Sequence, residues 1–389
     1  MMKKLRELCI YLVCITTVIF LSSCGGGGSS VDGQGTLSTS LTDSSSEEYQ
    51  AVYVTIDRVD VHLEDNDSWQ TVATPGKTYN LLELVNGVVE NLGEVLLDTG
   101  HYTQMRLIIG EMPDQGLNIF DQQHDYANYI IDQDDVAQEL KVPSGSQTGL
   151  KIVNGFNIND NQTTELILDF DALRSVVKAG SSGKYLLKPT IKVLTTTDYA
   201  IVGGIVTATD SDPLLPLEQV FVTAQTTAPE VADIKDQVVI QSGTLTTETG
   251  AYALFLEPGD YYLVATRSGY LPVCVAVSLG EDSLNTVDFS LPLLEETTPS
   301  GNLSGQVSIT GAVDDQHVTI EFRRSTECSG DSQMVVVKTV EIADGGQYSV
   351  DLAPGEDYQV VATTYGKETF TVEEVAVTSG ESVELNISF

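Results

Sequence analysis

The chain has 389 residues, 41% of them hydrophobic, and carries 56 acidic against 19 basic side chains for a formal net charge of −37 at pH 7. So large a negative excess repels nucleic acid and anionic lipid headgroups, so neither is an expected partner. The hydrophobic content and the many β-branched residues exclude a disordered acidic chain and call for packed cores.

The amino end opens with Lys3, Lys4 and Arg6, followed by an apolar run from Ile10 to Leu21 and then Ser22, Ser23 and Cys24. A membrane span needs about 20 apolar residues, and this run is shorter and broken by Thr16 and Thr17. Residues 1–23 therefore read as a secretory signal peptide. The Leu21-Ser22-Ser23-Cys24 sequence is similar to the lipobox of bacterial lipoproteins. That resemblance implies that Cys24 becomes the lipidated first residue and that the membrane is a partner through this lipid. Gly25 follows the cysteine where an Asp would suggest inner-membrane retention, so the implied address is the outer membrane of the bacterial cell envelope, on either face. Residues 24–34, rich in Gly and Ser, form a flexible tether. Of the remaining cysteines, Cys9 and Cys14 lie in the signal, while Cys274 and Cys328 stand far apart. A disulfide must bring its α-carbons within about 7 Å. These two fall in different repeats, so two free thiols are expected, with Cys274 buried.

Residues 35–196 read as one mostly-β domain. "GTLSTSL" alternates, and "AVYVTIDRVDVHL" alternates for longer, with Val52, Val54, Ile56, Val59 and Val61 on a buried face. The phase slip between Ile56 and Val59 predicts a bulge. Trp69 begins a further strand. The stretch 79–93, "YNLLELVNGVVENLG", has helical character. Strands resume at "HYTQMRLIIG", "QELKV", "TTELILDF" and "YLLKPTIKV", separated by turn-forming Gly, Asn, Asp and Pro.

The remainder is an internal repeat over 199–294 and 300–389. Gly250-Ala251-Tyr252 aligns with Gly346-Gln347-Tyr348, then Leu256 with Leu352 and Pro258-Gly259 with Pro354-Gly355, and Glu356 is the one extra residue. Two units spaced by roughly 96 residues are too long for solenoid repeats and suit tandem sandwiches. The second unit predicts seven strands, near 303–309, 316–324, 333–342, 347–352, 358–364, 368–377 and 381–389, with Tyr348 and Tyr358 packing across a sheet. Short Thr-rich linkers near 195–200 and 295–301 argue for stiffness between the units.

The repeats resemble carboxypeptidase regulatory-like domains, the transthyretin-like sandwiches, through Gly203-Gly204-Ile205-Val206, Gly305-Gln306-Val307, the Gly-x-Tyr pairs and the Pro-Gly turns. That family is grouped with carbohydrate-binding-like folds, and the resemblance implies a structural appendage. Residues 35–195 resemble domain-of-unknown-function family 4382 through "GTLSTSLTD", "AVYVTIDRVDVH", "YNLLELVNG", "GHYTQMRLII", "LKVPSGSQTGLKI" and "LDFDALRSVVKAGSSGKYLLKPTIKV". It implies a lipid-anchored envelope protein with a prealbumin-like sandwich and no reaction. The expected fold is all-β: three tandem β-sandwich domains preceded by a lipoprotein signal peptide.

Chemistry is sparse. His62, His101, His124 and His317 have no metal-ligand spacing, and no CxxC, HExxH, Gly-x-Ser-x-Gly or phosphate loop occurs. No catalytic residue, metal site or cofactor is expected. Ser175 and Lys178 spell the Ser-x-x-Lys pair of acyl enzymes, which requires a helix and a Ser-Asp-Asn partner that this chain lacks. Asp65, Asp67, Asp132, Asp134 and Asp135 offer oxygens for a structural Ca²⁺, against the plainer reading of solvated turns. Ser144, Ser146, Gln147 and Thr148 sit in a polar Gly-rich stretch that could present a ligand. Trp69 is the lone indole for stacking on a sugar. The leading expectation is a non-catalytic envelope lipoprotein for adhesion or scaffolding, in contact with a glycan or an extracellular protein. The alternatives are a carbohydrate-binding protein and, remotely, a Ser-Lys acyl-transfer enzyme.

Overall fold

The computed structural model describes residues 33–389 apart from 45–48, 65–68, 143–149, 153–154, 180–183, 196–198, 210–214, 282 and 314–315. The first module runs through β1 (Gln34–Ser44), β2 (Ala51–Leu63), β3 (Trp69–Ala73), β4 (Lys77–Asn80), β5 (Glu90–Asp98), β6 (Gly100–Ile109) and β7 (Tyr129–Ile131). It continues with β8 (Ala137–Lys141), β9 (Leu150–Ile152), β10 (Phe156–Ile158), β11 (Thr163–Asp171), β12 (Val176–Ala179), β13 (Lys184–Leu187) and β14 (Ile191–Thr195). One sheet has the order β14-β11-β1-β5; the other runs β10-β6-β2-β7-β8-β13-β12, with β3 and β4 on β2 and β9 on β6. A core including Leu37, Leu41, Val54, Ile56, Leu107 and Leu168 draws on strands of both sheets.

Strand β2 follows the alternation seen in the sequence, and its pairing with β6 slips between Ile56 and Arg58, which leaves Asp57 exposed and returns Val59 and Val61 to the core. The predicted bulge is therefore present. Its first half is buried on both faces, because Ala51 and Tyr53 pack against Tyr129 and Ile131. The helical character expected for 79–93 is not realised. Only Leu81–Glu83 makes a single 3₁₀ turn, between strands β4 and β5. Asn86 and Gly87 both take positive φ, 59° and 77°, so no helix can run through them, and Leu81 and Leu84 are held in the core instead.

The repeat is legible strand for strand. The first unit has β15 (Ala200–Ala208), β16 (Phe221–Thr227), β17 (Val238–Leu245), β18 (Ala251–Leu256), β19 (Gly259–Thr266), β20 (Val273–Leu279), β21 (Leu284–Thr286) and β22 (Phe289–Leu291). The second has β23 (Gly301–Ser308), β24 (His317–Cys328), β25 (Asp331–Ala343), β26 (Gln347–Leu352), β27 (Gly355–Thr363), β28 (Phe370–Val377), β29 (Ser382–Glu384) and β30 (Ile387–Ser388). In each, a small sheet is built on the first strand: β18-β15-β21 with β22, and β26-β23-β29 with β30. The expected last strand is thus two short ones, both parallel to β23.

The same three groups set that break in both units. A Cβ on Gly204 or Gly305 would collide with the main-chain oxygen of Val287 or Leu385, so only glycine lets the returning chain approach this closely. The Tyr252 hydroxyl donates to the same Val287 oxygen at 2.7 Å and the Tyr348 hydroxyl to that of Leu385 at 2.6 Å. The Pro-Gly turns carry the chain from one sheet to the other, so β26 and β27 lie in different sheets. Tyr348 and Tyr358 are therefore not cross-strand partners, contrary to expectation; both enter one core, Tyr348 beside Phe322. The extra Glu356 is absorbed in the turn. Tyr261 donates to the Glu257 carbonyl, whereas Tyr358 reaches Ala353, one residue further back.

The two units differ chiefly in one hairpin. β24 and β25 have 12 and 13 residues, where their counterparts β16 and β17 have 7 and 8. The extension carries Cys328 beyond β27 to pair in parallel with Cys274 of β20, with α-carbons 4.7 Å apart, and the two form a disulfide. The expected free thiols are corrected: the bond joins the two repeats, although Cys274 is buried as foreseen. The repeats thus share one eight-stranded sheet, β17-β16-β19-β20-β24-β27-β28 with β25 on β24. Gln225, fully buried on β16, donates through Nε2 to the Val336 oxygen at 2.7 Å and accepts from the Val336 N–H at 2.8 Å. Arg323 is buried completely; it pairs with Glu321 and donates to the carbonyls of Ile234, Lys235 and Val238 in the first repeat. Stiffness at this junction comes from the shared sheet and these bonds rather than from the linker.

Two outcomes follow for thermal and denaturant unfolding. Gly305→Ala forces main chain apart at the β23–β30 crossing and should lower stability by about 1–3 kcal/mol or more. Replacing Cys274 and Cys328 by Ser removes a cross-link spanning 54 positions. On chain-entropy grounds that should cost about 4 kcal/mol, while mass spectrometry of the unreduced wild type should find neither thiol free to alkylate.

Candidate functional site

A cleft of about 1060 Å³ receives residues from all three modules: Gln50 and Asn86 from the first, Arg267 and Tyr270 from the second, Lys338 and Asp351 from the third. β25 supplies Val337, Lys338 and Val340 to it, and the same strand touches β12 of the first module as well as β16, β17 and β19 of the first repeat. The first module is tied in by Asn86. Its N–H donates to the Thr244 hydroxyl at 3.3 Å, and its Oδ1 accepts from that hydroxyl at 3.1 Å. The cleft exists because the hairpin holds these surfaces together. No sequence signal marks it, since its lining runs from Tyr49 to Tyr358 without a common spacing.

Its electrostatics differ from those of the chain. Only Arg267, Lys338 and Asp351 among its lining residues are charged, in a protein of net charge −37. Arg267 lies 5.5 Å from the Tyr270 ring centroid and makes no ion pair among the described residues. Asp351 is engaged by the Asn302 amide at 2.9 Å. Beside Tyr358, which also lines the cleft, the Arg324 guanidinium sits 5.5 Å from the ring centroid and pairs through Nε with Asp357 at 3.7 Å, while its buried Nη1 has no acceptor among the described residues.

The sequence-derived candidates are scattered. Cys24, Asp65, Asp67, Ser144, Ser146, Gln147 and Thr148 lie outside the described residues. Asp132 folds its own turn: Oδ1 accepts from the N–H groups of Asp134 and Val136, and Oδ2 from the Gln138 amide. Asp135 takes positive φ and accepts from the Gln50 amide at 2.6 Å. Among the described residues no group of three or more His, Cys, Asp or Glu could hold a metal ion. Ser175 closes a single helical turn, Ala172–Ser175, and is fully buried, its hydroxyl accepting from the Thr190 N–H; Lys178 lies on β12 rather than on that turn. Trp69 is already engaged. The Arg106 guanidinium lies 4.3 Å from its centroid, and Arg106 in turn pairs with the buried Asp60 at 2.8 Å. A sugar would have to displace that cation to stack on the covered face.

His124, which has no metal-ligand spacing in the sequence, has a buried side chain. His124 sits against the stacked pair Tyr53 and Tyr129, with Nδ1 2.8 Å from the Tyr129 hydroxyl and Nε2 3.7 Å from Asp114. These contacts pin the loop between β6 and β7, whose tip exposes Met112, Leu117 and Phe120.

Residues 34–189 match the family model described as "Domain of unknown function (DUF4382)". The first module is a DUF4382 domain. Among solved structures, the chain is similar to the TIE protein of Bacillus anthracis, at 12% identity over 92% of this chain and 50% of that one, TM-score 0.21. It is also similar to a streptococcal ancillary pilin, at 14% identity over 91% of this chain and 99% of that one, TM-score 0.21. The shaft pilin SpaA of Lactobacillus rhamnosus GG matches at 13% identity over 50% of this chain and 98% of that one, TM-score 0.20. The chain spans half the length of the first of these, and scores of this size carry no functional argument. No curated protein matches. No helix among the described residues is long and apolar enough to cross a membrane.

Burial holds the His124 pKa below its ordinary value, and the Asp114 charge offsets this only in part. The stability contributed by neutral His124 is complete above the unfolded value of about 6.5 and is lost as pH falls from there through the lower folded value. Denaturant midpoints between pH 7 and pH 5 should therefore fall less steeply for His124→Asn than for the wild type, once their pH 7 values are matched.

Proposed function

We propose that the chain is a non-catalytic, lipid-anchored protein of the bacterial envelope, whose DUF4382 domain and two transthyretin-like repeats act as one rigid presenting block. The observation that carries this reading is the buried Cys274–Cys328 disulfide. Such cross-links form and persist in oxidising compartments outside the cytoplasm, which agrees with the signal and lipobox at residues 1–24. The shared sheet and the Gln225 and Arg323 contacts support a scaffolding role, because they hold surfaces of separate modules at fixed spacing. The chemistry of the described residues favours binding over reaction: Ser175 is sealed in the core and no metal cluster is present among them. A glycan-binding role is the second reading, and the polar cleft is the observation that favours it.

Growth with an alkyne-labelled fatty acid tests the anchor. The wild type should take up label and sediment with membranes, whereas Cys24→Ala should take up none and appear in the soluble envelope fraction. Label in the variant, or a soluble wild type, would overturn the reading.

A further inference from the structure

We propose that the loop between β6 and β7, residues 110–128, is a docking surface for a partner protein that offers an apolar surface framed by Lys and Arg. Connecting loops are ordinarily polar towards water, and this one is arranged the other way round. Met112, Leu117, Ile119, Phe120 and Tyr126 are exposed, while Asn118 and Asn128 are buried. Five of the sixteen large hydrophobic side chains exposed among the described residues fall in these nineteen positions. That density sets the loop apart from single apolar residues scattered over a surface. Met and aromatic side chains are also the types that the centres of protein interfaces favour.

The buried amides hold the tip in one shape. Asn118 Oδ1 accepts from the Phe120 N–H at 2.9 Å and the Gln122 N–H at 3.1 Å, and the Asn118 N–H donates to the Gln122 oxygen at 2.8 Å. The Tyr53 hydroxyl accepts from the Ile119 N–H at 2.8 Å. Asn128 clamps the base, donating to the Gly110 oxygen and accepting from the Thr55 N–H. Asp114 ties the loop to β4: its Oδ2 accepts from the Thr78 N–H, and its own N–H donates to the Thr78 hydroxyl. A loop fixed at tip and base gives up little conformational freedom when it binds. Charge selects the occupant. Glu111, Asp121 and Asp125 are exposed on the loop, which contains no Lys or Arg. These carboxylates disfavour an anionic lipid surface and a second copy of this acidic chain, and they complement a partner edged with cations. The docking surface goes beyond the presenting role and belongs to the loop alone, so it serves whether or not Cys24 is acylated.

The test is isothermal titration of the purified full chain with an amphipathic helical peptide of Leu and Lys, and with its Leu/Glu and all-Lys counterparts. The Leu/Lys peptide should bind, and each counterpart should bind about tenfold or more weaker. Leu117→Ser and Phe120→Ser should each weaken the Leu/Lys peptide by about tenfold, as for the loss of one dominant interface side chain. Tyr365→Ser, at an exposed aromatic of the second repeat, should leave binding unchanged. Matched melting temperatures establish that the variants fold; where a loop variant does not, Met112→Ser replaces it. No binding of the Leu/Lys peptide, equal binding of either counterpart, or indifference to the loop substitutions would overturn the proposal. Loop-dependent dimerisation in analytical ultracentrifugation would overturn it in favour of a second copy. Loop-dependent sedimentation with phosphatidylcholine–phosphatidylglycerol vesicles would overturn it in favour of a bilayer.

Discussion

The rest of the structure depends on the long β24–β25 hairpin of the second repeat. Lengthening these two strands relative to β16 and β17 takes the tip past its own sheet to meet β20, where Cys328 finds Cys274 and the Ser329 hydroxyl accepts from the Ala276 N–H. A parallel contact of one residue pair would be weak alone. It is reinforced by the two-point Gln225–Val336 contact and by Arg323, whose buried charge would be costly without the Glu321 carboxylate and the three carbonyls that meet it. The Ile234 and Lys235 carbonyls come from the 3₁₀ turn before β17 and that of Val238 from the start of β17, so satisfying the charge fixes that entry into the other repeat.

The equivalent strands β20 and β28 of the two repeats are treated differently. β20, "VCVAVSL", carries no charge and is met by the neighbouring hairpin. β28 ends the sheet among the described residues and carries Glu373 and Glu374, the latter at φ 57°, with register shifts in its pairing to β27. Charge and irregularity are how exposed edges resist further strand addition. β28 is therefore a poor platform for binding by added strands. That leaves the cleft beside β25 and the loop between β6 and β7 as the better-formed places for contact.

Local features were legible in the sequence because their causes are local. The Gly-x-Tyr and Pro-Gly spacing gave the repeat and its single extra residue, and the Tyr261 and Tyr358 hydroxyl bonds across the Pro-Gly turns are local, whereas those of Tyr252 and Tyr348 reach 35 and 37 residues along the chain. The hydrophobic phase slip gave the bulge in β2, and the quoted stretches of residues 35–195 gave the DUF4382 domain. What was missed is non-local. The disulfide joins positions 54 apart because one hairpin is longer than its twin, and repeat alignment treats that length as ordinary variation. The cleft assembles residues from 49 to 358, none with a motif. The helix expected at 79–93 failed to positive-φ Asn86 and Gly87, whose turn seats on Thr244 of the neighbouring module. His124 carries no spacing signal in the sequence, and its contacts arise only where Tyr53 and Tyr129 stack.

The most direct test of this account is differential scanning calorimetry of the purified chain with the Cys274–Cys328 bond intact and after reduction and alkylation. If the hairpin fuses the repeats, the intact chain should unfold them in one endotherm, and cutting the bond should split or broaden that transition. Two independent repeat transitions in the oxidised chain, unchanged by reduction, would contradict it.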